Sequence, residues 1–122
     1  RGAFSYVTGQ SCAAQLLDLA HPPTAIFASN DDMAAGAIAQ SYERGIAVPG
    51  ELTIVGYDDV AVASVISPPL TTVRQPLKEM AARAAALLLE RIHDRTITAK
   101  HEILPHSIIL RASHGARRLG QI

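Results

Sequence analysis

Between Thr24 and Gly56 an apolar run, a helix-like pattern and a second apolar run follow one another, and each apolar run ends in acids. The first, Ala25–Ser29, meets Asn30-Asp31-Asp32, and the second, Leu52–Gly56, meets Tyr57-Asp58-Asp59. Strand, helix and strand in this order predict a right-handed parallel crossover. Both acidic clusters then fall on one rim of one sheet, at the carboxyl ends of the strands, where open α/β sheets bind ligands. The clusters also have plainer readings. Asn30 or Asp31 can cap the helix and the acids can sit near its positive end, while Asp58 and Asp59 can be a polar turn.

The flanking segments extend this α/β reading. Ala13, Leu16, Leu17 and Ala20 are spaced as one helical face over residues 9–20, which Pro22-Pro23 stop. Ala25–Ser29 is expected to be a buried strand. The following helix should bury Met33, Ala34, Ala37, Ile38, Ser41 and Tyr42 and end at Gly45. Val60–Ile66 is unusually apolar for a loop, and Pro68–Val73 reads as an extended connector pinned by its prolines. Pro76 opens a long helix with Leu77, Met80, Ala81, Ala84, Leu87 and Leu88 along one face. Ile103-Leu104 and Ser107–Leu110 suggest one or two strands broken at Pro105, and the tail from Ser113 reads as frayed.

Composition narrows the function classes. A 48% hydrophobic content over 122 residues suits one folded domain with a real core. Eleven basic residues balance eleven acidic ones, so no overall field draws in nucleic acid. A single cysteine, Cys12, excludes an intrachain disulfide, suits a reducing compartment and reads as a small core residue. No apolar run reaches the ~18 residues of a membrane span, and no signal segment is evident. A cytoplasmic setting is therefore expected. The chain lacks an initiator Met and is expected to be a piece of something longer. The phosphate-binding and nucleophile motifs are missing, and the five histidines are not paired for metal. Adjacent acids could hold Mg²⁺ as in a phospho-receiver, but no Lys follows a late strand. No enzyme and no cofactor is expected.

The segment PTAIFASNDDMAAGAIAQSYERGIAVPGELTIVGYDDVAVASVISPPLTTVRQP resembles the effector domain of the lactose-repressor/galactose-repressor (LacI/GalR) family of bacterial regulators. The matching features are A-I-F-A-x-N-D-x-M-A-x-G, R-G-x-x-V-P, V-G-Y-D-D and P-P-L-T-T-V-R-Q-P, in that order. ILPHSIILRAS resembles the family's L-P-x-x-L-x-x-R-x-S ending. The resemblance implies an α/β three-layer sandwich with a parallel sheet, of the periplasmic-binding-protein-like type I, present here as a fragment. Residues 1–74 would form part of the C-terminal effector-binding subdomain. Residues 75–100 would form a crossover and a helix of the N-terminal subdomain, 101–113 a return strand, and 114–122 a tail. Crossovers would lie near Leu70–Gln75 and Thr98–Leu104.

By the same resemblance Phe4, Asn30 and Asp58 bind the ligand, a sugar or nucleoside. Asp31 and Asp59 hold the backbone turn, Asp31 and Asp32 also serving the helix start. Val62, Val65 and Ile66 lie at a homodimer interface, with the exposed side of the helix from Met33. DNA would be bound only through a helix-turn-helix that is not in this chain. The rival reading is a periplasmic sugar-binding protein of the same fold, which a secretion signal upstream in the gene would favour.

Overall fold

In a computed structural model of the protein, residues 3–115 are described. The chain divides into two compact units, Arg1–Arg74 with Ile108–Ile122, and Gln75–Ser107. The first holds α1 (Tyr6–Leu17), β1 (Ala25–Phe27), α2 (Asp31–Glu43), β2 (Thr53–Asp58), α3 (Val62–Val65) and β3 (Thr71–Arg74). It also takes the last two residues of β4 (Ser107–Ile109), and α4 (Leu77–His93) lies in the second. The sheet runs β1-β2-β3-β4, with β1, β2 and β3 parallel and Phe27 paired to Val55 and Asp58 to Arg74.

Helix α1 starts three residues before the expected span, because Ser5 and Thr8 form a reciprocal capping box. It ends at Leu17, so Ala20 lies outside it and is exposed. Cys12 is half-buried. α1 crosses α2 at two glycines. A Cβ on Gly36 would stand 2.1 Å from the Tyr6 carbonyl oxygen, and one on Gly9 2.2 Å from that of Met33. Neither position has room for any other residue without separating the helices.

α2 is capped by Asn30, whose Oδ1 accepts from the Met33 N–H at 2.9 Å. At its other end Gly45 (φ 70) donates to the Tyr42 carbonyl and Ile46 to that of Ser41, closing a Schellman turn. The buried side of α2 carries Ala34, Ala37, Ile38 and Ser41, which join Ala13, Ala28, Leu52, Ile54, Ala63 and Leu70 in the core. Tyr42 departs from expectation and is 85% exposed. The adjacent Ser41 of the same turn is buried instead, its Oγ donating to the Ala37 carbonyl.

Four other expectations are corrected. The strand β1 is not buried: Ala25 and Phe27 are exposed and Ile26 half-buried, since β1 is the edge of the sheet with one paired neighbour. The segment read as a proline-pinned connector contains the core strand β3. Leu70, Thr71 and Thr72 are all buried, and both hydroxyls are hydrogen-bonded. Ile103 and Leu104 form no strand, and Ile103 is exposed. Ser113 is fully buried rather than frayed. Its Oγ donates to the Ile54 carbonyl (2.6 Å) and accepts from the Thr71 N–H (2.8 Å), while its carbonyl accepts from the Ile54 N–H. It fills the gap where the β2–β3 ladder has not yet begun. The Arg117-Arg118 pair and the rest of 116–122 lie outside the described residues.

In the second unit Pro76 caps α4 rather than opening it, and no α4 residue is buried. Arg83 pairs with Glu102 and Lys100 with Glu90, fastening the returning segment alongside the helix. No described helix is long and apolar enough to cross a membrane.

Candidate functional site

Parallel pairing places the two acidic clusters on one rim. Phe27 faces Val55 in register, and three residues beyond each stand Asn30 and Asp58. Asn30 serves the cap through Oδ1 and donates from Nδ2 to the Phe4 carbonyl at 3.2 Å. The cap therefore also tethers Phe4, which is 66% exposed and whose backbone lies at φ 51. An amide offers two hydrogens and two lone pairs, so Asn30 keeps one of each for a further partner. Capping and contact with a ligand, which the sequence sets as alternatives, are compatible in one side chain.

The neighbouring acids are occupied differently. Asp31 is fully buried. Its Oδ1 accepts from Thr72 Oγ1 (2.5 Å) and its Oδ2 from the Val60 N–H (2.8 Å). It joins the α2 start to β3 and to the loop after β2, and it stands with Asp32 among the acids of the first turn of α2. Gly56 makes this possible, because a Cβ there would stand 2.3 Å from Asp31 Oδ1. Burial raises the Asp31 carboxyl above the usual carboxylate value, against the bonds from Thr72 and Val60, and the nearby Asp58 and Asp59 add to the rise. Asp32 remains exposed in the first turn.

Asp58 and Asp59 both have positive φ, 107 and 59, a conformation costly for a residue with a side chain. The chain thus turns away from the sheet between them. Asp58 stays half-buried on the rim, and Asp59 points to two arginines. Asp59 Oδ2 accepts from Arg74 Nε (2.6 Å) and Oδ1 from Arg111 Nη2 (2.7 Å). Burial would raise its carboxyl, but the bonds from Arg111 and Arg74 outweigh that and hold it below the usual value.

Thr72, Arg74, Arg111 and Ser113 were given no role by the sequence reading. All four stand within motifs that carried the family resemblance, P-P-L-T-T-V-R-Q-P and the R-x-S ending, so the signal was present without a geometry to interpret it. Phe27 and Tyr57 were also missed; their rings meet edge to face with centroids 6.4 Å apart. Among the described residues no cluster of His, Cys, Asp and Glu could hold a metal ion.

In the same unit, α2 and α3 border a groove of about 340 Å³ whose lining includes Tyr6, Ile38, Tyr42, Val62 and Ile66. Val62 and Ile66 are half-buried there and Val65 is exposed, while Ala63 between them is core.

Comparison with known proteins gives a consistent picture. The periplasmic binding protein-like domain family matches residues 3–114. The HTH-type transcriptional repressor CytR of Escherichia coli strain K12 is 37% identical over 113 residues, 93% of this chain and 33% of that protein. A LacI family regulator from Enterococcus faecium, solved with bound ribose, is 36% identical with a TM-score of 0.78, covering 91% of this chain and 41% of that one. The Lac repressor dimer bound to operator and the anti-inducer ONPF is 31% identical with a TM-score of 0.85, covering 94% and 40%. The chain spans about a third of the length of the curated relatives it matches.

Proposed function

The chain belongs to the family of periplasmic binding protein-like domains, and from that premise we propose that it forms part of the effector-binding region of a LacI-type transcriptional regulator. The relatives are transcriptional regulators, not enzymes, and no catalytic role is assigned to the chain. The observation that carries the reading is the shared rim: Asn30 and Asp58 at matched positions beyond paired strands, with Phe4 tied to Asn30.

On this reading the effector is a sugar or nucleoside. The Phe4 ring covers an apolar C–H face, the spare amide groups of Asn30 meet a hydroxyl, and the Asp58 carboxylate accepts from hydroxyls in charge-assisted bonds. Residues 75–100 supply a crossover and a helix to a second subdomain, and effector held between the two favours one closure state. Closure changes the spacing of DNA-binding heads encoded outside this chain. Val62, Val65 and Ile66, with the exposed side of α2, form the homodimer contact; the apolar groove there supports this assignment. A regulator of this kind works in the cytoplasm.

The test is operator release titrated against a panel of sugars and nucleosides in the full-length protein. Asp58→Ala and Asn30→Ala are expected to move the effector midpoint about ten- to a hundred-fold, as for loss of a charge-assisted bond, with operator affinity unchanged. Unmoved midpoints in both variants overturn the site. Val65→Asp with Ile66→Asp is expected to give monomers by light scattering; a persistent dimer overturns the interface.

A further inference from the structure

Asp59 stands one residue beyond the rim acid Asp58, but its side chain is only 5% exposed and both its oxygens are taken by guanidiniums. The chain positions of those two arginines are the informative feature. Arg74 is the last residue before the chain leaves the first unit, and Arg111 lies just after its return at Ile108. One carboxylate therefore holds the outgoing and the returning segment together at the end of β2. Arg111 is anchored further: its Nη1 donates to the Leu70 carbonyl and its N–H to Thr71 Oγ1, both at 2.8 Å. These bonds tie the returning segment to β3 as well.

We propose that Asp59 is a positioning residue that fastens both crossover segments to the rim carrying Asp58, so that the two connections to the second unit leave from one rigid junction. An ordinary surface ion pair would do nothing of the kind, since exposed pairs contribute little and hold nothing in place. Here the carboxylate is buried, Arg111 is mostly buried, and the backbone at Asp59 adopts a strained conformation that aims the side chain inward. The link to a ligand rests on the effector reading of the rim; the fastening itself is read without one.

Hydrogen exchange measured by mass spectrometry on the full-length protein separates the two. Asp59→Asn is expected to speed exchange about ten-fold or more in peptides covering residues 70–76 and 107–112, while α2 stays as protected as in the wild type. Arg74→Gln, a change at a side chain that is 55% exposed, is expected to speed exchange by a smaller factor and only in 70–76. Unchanged exchange in both segments, or an equal rise throughout α2 in both the Asp59 and the Arg74 variants, overturns the proposal. Failure of the effector titration with Asp58→Ala would overturn the ligand reading and leave this result standing.

Discussion

Helices α2 and α4 differ in composition and in fate. The 13 residues of α2 include four alanines, a glycine and two serine or tyrosine side chains in the last turn, and seven of the 13 are buried. The 17 residues of α4 carry a broad stripe of leucine and methionine with charges opposite, and none is buried. By pattern alone α4 is the better core helix. α2 is buried because its small side chains let backbones approach: Gly36 admits the Tyr6 carbonyl, and Ala34 and Ala37 lie flat against the strands. Apolar periodicity states what a helix can cover; close packing needs a surface of matching shape to cover it.

The largest effect expected from this contrast is at the α1–α2 crossing. Gly36→Val would gain a few tenths of a kcal/mol in helix propensity but drive side-chain atoms into the Tyr6 carbonyl, at a net cost of about 3 kcal/mol. Urea unfolding checks it, and an unchanged midpoint would mean that the two helices slide apart freely. Next come the adjacent acids at the α2 start. Asp31→Ala leaves the Thr72 hydroxyl and the Val60 N–H without their acceptor and should cost about 2 kcal/mol. Asp32→Ala, one position along and exposed, should cost less than about 1 kcal/mol, all from the helix dipole. Equal losses in the same denaturant series would erase the distinction between them.

Acid titration sharpens the contrast between the two buried carboxyls. The Asp59 carboxyl lies below 3.8 in the fold, so its contribution is present above that pH and is lost as pH falls through the lower folded value. The Asp31 carboxyl lies above 3.8, so its ionisation weakens the fold as pH rises through the raised value, and protonation below 3.8 removes that penalty. Between about pH 5 and the acid limb, Asp59→Asn should therefore lose less stability than wild type and Asp31→Asn should lose more, read as denaturant midpoints against pH. Parallel curves would contradict both assignments. The smallest effect belongs to α4. In the isolated 122-residue chain Leu88→Gln should change stability by less than about 0.5 kcal/mol, as at an exposed site. It should also reduce self-association in sedimentation. A loss of several kcal/mol would show that α4 buries this face in the chain itself.

Much of the fold was legible because it depends on local chemistry. The capping asparagine, the glycine stop at Gly45 and the parallel β1–α2–β2 unit follow from residue types at fixed offsets, and together they place Asn30 and Asp58 on one rim. Burial was less legible. β1 is as apolar as a core strand but stands at the sheet edge, while β3, flanked by prolines and written with two threonines, lies in the middle. Nothing local distinguishes a threonine whose hydroxyl meets solvent from Thr72, whose hydroxyl meets a carboxylate 41 residues away.

The sequence by itself determined where α2 starts and stops, that β1 and β2 run parallel, and that two acid pairs share a rim. Only the tertiary structure decided how Asp31 and Asp59 can turn inward. Asp31 and Asp59 do so because Thr72, Arg74 and Arg111, distant in the chain, converge to satisfy their charge, and a buried carboxylate is tolerated only where such donors meet it.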